Sequence, residues 1–112
     1  MDKERFPNKK AVEVQKDDLS DADLSDADLS GVDLSGADLS GADLSGANLS
    51  GANLSNADLI DVFAIGANFS NANLSFVEFD DANLSDVNLT GANLDGANLS
   101  DAEDLSGAIG IT

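Results

Sequence analysis

A five-residue period runs through residues 19–99 without insertion. Stepping through that stretch in fives meets Leu everywhere except at Ala64, Phe69 and Phe79. Two residues before each of these positions lies Ala or Val, from Ala22 to Ala97, with Asp17 alone out of pattern. The residue between is Asp, Asn or Glu, except at Phe63. The repeating unit is therefore A-(D/N)-L-S-G, and few folds tolerate it. In an α-helix five residues advance about 500°, so the Leu positions would define no face. The abundant Gly, Ser, Asp and Asn further disfavour helix. In a continuous strand an odd period sends Leu to the opposite face at each repeat. A short extended piece followed by a bend does fit: Ala and Leu, two apart, point the same way, and Gly, Asn or Asp suits the bend. Repetition winds the chain into a solenoid with Ala and Leu inside, and leaves the number of sides open. Low complexity and high charge would also suit a disordered chain. Two apolar positions held in register over 17 repeats argue against that.

The first 16 residues, MDKERFPNKKAVEVQK, are foreign to this pattern. Their charges and Pro7 suggest a flexible, basic start. Val14 and Val12 nevertheless fall on the Leu and Ala positions of the register extended backwards, and with Phe6 they could form an irregular first side covering the core. Past Asp101 the register breaks: Asp104 takes the expected Leu position and Leu105 follows one residue late. The organisation read from sequence is an N-terminal segment over 1–16, a repeat body over 17–104, and a short apolar tail over 105–112. That tail suits either a lid over the last coil or a homodimer contact through the solenoid end.

Charge divides along the same lines. The net charge is −17, yet all five basic residues lie within the first 16 positions, where three acids leave a net +2. From Asp17 onward there are 19 acids and no base. Such a body repels nucleic acid and anionic membrane and attracts basic protein surfaces or cations. No direct nucleic-acid contact and no membrane contact is expected. The chain has no Cys, so redox compartment is undetermined. No apolar run is long enough for a membrane span or signal peptide, which makes a cytoplasmic location the expectation.

Catalysis has little to stand on. There is no His, Cys or Tyr, the few Lys and Arg lie in the N-terminal segment, and no Ser has a partner to activate it. The expectation is a protein that is not an enzyme, with no cofactor and no metal site. Ladders of oxygen ligands would suit Ca²⁺ in principle, but the Gly-Gly-x-Gly-x-Asp pattern of calcium β-rolls is absent. At most weak, non-specific Ca²⁺ binding follows.

From Ala22-Asp23-Leu24-Ser25-Asp26 to Ala97-Asn98-Leu99-Ser100-Asp101 the chain closely resembles the pentapeptide-repeat family. The resemblance implies an all-β fold, a right-handed quadrilateral parallel β-helix of about four coils, with four pentapeptides in each coil. In that register Phe69 stacks between Leu49 and Leu89 beside Ala64, a large residue next to a small one within one coil. Phe79 sits between Leu59 and Leu99. Asp18, Asp38, Asp58 and Glu78 align on one face, and Asp21, Asp61, Asp81 and Asp101 on the corner after it. Asp23, Asp43, Asp26, Asp86 and Glu103 follow on the next face and corner, while the other two faces carry mostly Asn.

Some members of the family resemble B-form DNA and bind DNA gyrase or topoisomerase IV in its place. The resemblance therefore implies a basic protein surface as partner, with gyrase or topoisomerase the most concrete version. Those members are typically longer dimers, some with a projecting loop, whereas no loop interrupts these repeats. Ile60, Phe63, Ile65 and Phe76 break the outward polar rule and suggest an apolar docking site, unless Phe63 or Ile65 turns inward around the small Ala64. The alternative to an interaction surface is a structural or scaffold module with no dedicated ligand.

Overall fold

The computed structural model describes residues 1–111. From Leu19 onward each five-residue unit is one side of a coil. Residue pairs twenty apart form parallel bridges: Asp23 with Asp43, Asp28 with Asn48, Asp33 with Asn53 and Asp38 with Asp58. Four sides therefore complete one turn of a β-solenoid. A bridge is typically made by two bonds; the Leu24 N–H donates to the Asp43 carbonyl at 2.8 Å, and the Asp43 N–H donates to the Ala22 carbonyl at 2.9 Å. Each side contributes a single bridging residue and then bends, so the sides are shorter than regular strands. The molecule measures 37 × 20 × 19 Å.

Each bend is a four-residue turn, such as that closed by the Ala27 N–H donating to the Leu24 carbonyl at 3.2 Å. Except at Asp101, its third residue is left-handed, a conformation that Gly adopts freely and Asn or Asp tolerates. Gly31 with φ of 68° and Asp26 with φ of 58° are typical. Among non-glycine residues with positive φ, all are Asp or Asn except Phe76.

The Asp or Asn at the centre of each side has a second task. Its Oδ1 accepts the backbone N–H two residues on, at 3.1 Å from Ser25 to Asp23 and at 3.0 Å from Ser50 to Asn48. In many units the Ser hydroxyl donates to the same oxygen, as Ser25 does to Asp23 at 2.6 Å and Ser55 to Asn53 at 2.9 Å. This side-chain turn explains the Asp/Asn requirement. Because Asn serves as well as Asp, charge on the surface is set independently of the fold.

The core is a stack of Leu and Ala with three buried aromatic rings, Phe6, Phe69 and Phe79. Phe69 and Ala64 are both fully buried, and the bridges Asn48–Asn68 and Asn68–Asn88 hold Phe69 in line with Leu49 and Leu89.

The two ends depart from the sequence expectation. Residues Lys9–Val14 form a helix, α1, capped by the Asn8 side chain accepting the Ala11 N–H, and a 3-10 turn follows at Lys16–Asp18. The N-terminal segment caps the first coil, the covering role expected of Phe6 and Val12, through a helix that the register does not indicate. Phe6 and Val12 are buried against the core, but Val14, expected inside from the register, is 70% exposed because the helix rotates it outward. The basic residues help to dress the open edge. Lys9 Nζ donates to the Ser30 carbonyl at 2.8 Å, Arg5 donates to the Asp18 carbonyl, and the Arg5 guanidinium lies 4.7 Å above the Phe6 ring. The Glu13 carboxylate accepts the Asp33 N–H at 2.8 Å, and that bond, with one from Lys10, holds its pKa below the ordinary value.

At the other end a one-residue insertion, Glu103-Asp104, replaces the single central residue. Asn83 then bridges Asp104, and Asn88 bridges Ile109, at a separation one longer than elsewhere. Beyond it the solenoid resumes. Leu105 and Ala108 are partly buried against the core, while Ile109 and Ile111 are exposed. These residues do not fold across the end as a lid; the expected segment also includes Thr112, which lies outside the described residues.

Candidate interaction surface

The solenoid brings most of the expected acidic residues together. Asp38, Asp58 and Glu78 occupy consecutive rungs, with bridges Asp38–Asp58 and Asp58–Glu78. At the spacing of neighbouring strands, about 4.8 Å, this is a ladder of like charges. Asp58 Oδ1 accepts the Ile60 N–H at 3.0 Å, and Asp38 Oδ1 accepts the Ser40 N–H at 3.1 Å. One carboxylate oxygen of each is therefore engaged in the turn. Glu78, one methylene longer, makes no such turn bond, and its own N–H reaches the Ala57 carbonyl only at 3.5 Å.

Two expected members stand apart. Asp18 lies in the 3-10 turn rather than on a bridge, and its carboxylate is 3.6 Å from the Arg5 guanidinium, which offsets its charge. Asp101 is displaced by the approaching insertion. Its own carbonyl accepts the Asp81 N–H, whereas in the preceding layers the residue before the corner does so, as Asp80 does for Asp61. Asp101 also lacks the left-handed φ shared by Asp21, Asp61 and Asp81.

Asp21, Asp61 and Asp81 line one open groove at the corner, joined by Glu103, Gly41, Ser40 and the ring of Phe63. Gly41 interrupts the column of acids, and the Asp21 carboxylate leans over it. A Cβ built on Gly41 would fall 2.2 Å from Asp21 Oδ1. Sequence reasoning counted Glu103 among the acids of the adjoining face but assigned no role to Gly41. The register placed Glu103 on the face of Asp23 and Asp43, and its N–H keeps the regular bond to the Ala82 carbonyl at 2.9 Å, whereas Gly41 read only as a bend.

The four outlying apolar residues divide. Ile60 is half-buried, and Phe63 and Ile65 are exposed on the same stretch of surface. Ala64 between them is fully buried, so neither neighbour turns inward. Phe76 lies on the corner diagonally across the coil from Ile65, and is 62% exposed. The four residues are not one patch. Phe63 replaces the Asp or Asn of its side, so Ile65 N–H receives no side-chain turn bond of the kind that Asp58 offers Ile60.

On the adjoining sides the carboxylates of Asp23, Asp28, Asp33 and Asp104 have lowered pKa values, chiefly because a Ser hydroxyl and a Ser backbone N–H both donate to the charged form. Among the described residues, no group of three or more acidic side chains is placed to hold one metal ion.

The coil length, the inward Ala and Leu, and the side-chain turn are those of one repeat family. Residues 18–56, 52–91 and 78–109 match the Pentapeptide repeats family, with 8 copies of the repeat. The chain belongs to the pentapeptide-repeat family. No curated protein sequence matches it. Among solved structures it is similar to a pentapeptide repeat protein from Nostoc PCC 7120, with 37% identity and a TM-score of 0.58 over 88% of this chain and 80% of that one. It is similar to a thylakoid-lumen pentapeptide repeat protein from Arabidopsis thaliana at 35% identity and TM-score 0.55, covering 77% of this chain and 59% of that one. It is also similar to trypsin-treated QnrB1, a plasmid-mediated fluoroquinolone resistance protein, at 28% identity and TM-score 0.65, over 80% of this chain and 45% of that one. Pentapeptide-repeat structures of this kind are right-handed β-helices, and that is the fold here. The chain spans about half the length of the QnrB1 and Arabidopsis proteins.

Proposed function

We propose that this pentapeptide-repeat chain is a non-catalytic interaction module whose acidic side binds a basic protein surface. One observation carries the reading: Asp38, Asp58 and Glu78 stack on successive rungs beside Asp61 and Asp81, with no base anywhere after Lys16. Asn would satisfy the same turns, as Asn48 and Asn53 do on other sides. The charge is therefore not required by the fold, and stacking it opposes folding.

The most concrete form of this reading is mimicry of DNA on a gyrase or topoisomerase IV. A duplex as long as the 37 Å molecule carries about 22 phosphate charges, comparable with the net charge of −17 of the whole chain. The likeness to QnrB1, a fluoroquinolone resistance protein, favours the same class of target. Supercoiling by gyrase, with and without a quinolone, tests it. Inhibition of supercoiling, or loss of quinolone-stabilised cleavage, is the expected result. Unchanged supercoiling and unchanged cleavage at saturating protein would overturn the mimicry. The second reading, a scaffold without a dedicated ligand, predicts in addition that no basic protein surface binds the acidic side.

A further inference from the structure

We infer that the groove beside Phe63 is a socket for an arginine side chain of the partner protein, an inference that rests on the basic-partner reading above. Three features describe the groove, and the first has no explanation in the fold. Phe63 occupies a position where Asp or Asn otherwise supplies the turn acceptor, as Asp43 does for Ser45 and Asn83 for Ser85 on the neighbouring rungs. The ring forgoes that bond and leaves an apolar face 53% exposed. Residues that break a local rule without a structural gain point to function.

Gly41 supplies the second feature. At the corner where the column otherwise carries Asp21, Asp61 and Asp81, it lets the Asp21 carboxylate lean in beside the groove, the relation that Asp26 has to Gly46. The third is the company the ring keeps. Asp21, Asp61, Asp81 and Glu103 share the groove with Phe63, so an aromatic face is bordered by carboxylates in a space of about 420 Å³.

That combination is selective in chemical terms. An apolar ligand would leave the carboxylates facing it, and a bare ammonium gains charge pairing but is strongly hydrated. A guanidinium is planar and weakly hydrated; it stacks on an aromatic face while its N–H groups donate to flanking carboxylates. The groove complements arginine in both respects, and lysine in one.

Nona-arginine and nona-lysine peptides, titrated by calorimetry at low ionic strength, test the socket on the intact chain. The expected result is tighter binding of the arginine peptide by about two- to fivefold. Phe63→Asn restores the turn acceptor and so keeps the fold. It should shrink the preference by the stacking share while leaving the charge-driven affinity for both peptides. Phe63→Trp should keep or increase the preference. Equal affinities for the two peptides in the wild type, or a preference undiminished in Phe63→Asn, would overturn the socket and leave the basic-partner reading intact. If neither peptide binds, both readings fail.

Discussion

The ring of Phe76 lies across Gly96, one layer on, so closely that a Cβ at Gly96 would fall 2.4 Å from Phe76 Cδ1. The same relation recurs at the corners. Asp26 leans over Gly46, and Asn71 over Gly91, whereas Gly51 and Gly66, each preceded one layer earlier by another glycine, have open space. Phe76 is the one aromatic among the left-handed corner residues, at φ of 60°.

Gly96→Ala therefore meets two costs, a left-handed backbone and the Phe76 ring. The left-handed conformation alone costs about 1–2 kcal/mol for a residue with a Cβ. In a Phe76→Gly background only that part should remain. A double-mutant cycle by urea denaturation should return a coupling of about 1 kcal/mol or more between the two positions. Additive effects would show that the ring swings away at no cost.

The interior was legible because one period controls it. Leu, Ala and the turn residues recur at fixed spacing, so the inward set and the place of Phe69 and Ala64 within it follow once a coil length is adopted. What escaped was whatever breaks the period. Val14 keeps the register, yet the Asn8 cap and the helix Lys9–Val14 place it outside. The insertion at Glu103-Asp104 moves Asp101 off its column. Gly41, read from sequence only as a bend, lines the groove beneath the Asp21 carboxylate.

Asp38→Asn and Asp58→Asn together separate charge from fold. Asn offers the same Oδ1 acceptor, as Asn48 does to Ser50 at 3.0 Å. The double variant should fold identically and unfold about 2–4 °C higher at low salt, because two members of a like-charge ladder are removed. At 1 M NaCl, where the screening length is about 3 Å, the gain should vanish. The same variant should bind a basic partner less tightly. A loss of stability at low salt would mean that the carboxylates do more in the fold than accept turn bonds.

Acid should unfold the protein partly through the side-chain turns. The carboxylates of Asp23, Asp28, Asp33 and Asp104 have folded pKa values below the ordinary 3.8. A depressed folded pKa contributes stability that is complete above the unfolded value and is lost as pH falls through the folded one. Asn at these positions accepts the same bonds and does not titrate. The variant carrying Asp23→Asn, Asp28→Asn and Asp33→Asn should therefore lose less stability than wild type between about pH 5 and pH 2. Circular dichroism melts across that range would show it. Parallel curves for the two proteins would remove the turn bonds as a source of acid lability.

The Phe69–Ala64 pair predicts compensation inside one coil. Phe69→Leu alone removes ring volume from a fully buried site, and Ala64→Leu alone forces extra volume into another. Each should destabilise, the second by about 1–3 kcal/mol through overpacking. Together they restore the Leu found at these positions in the neighbouring layers, with Leu44 and Leu84 flanking position 64 and Leu49 and Leu89 flanking position 69. The double variant should therefore be more stable than either single one and close to wild type by chemical denaturation. If the two costs simply add, the sides are packed independently and the small residue beside the large one is not compensation.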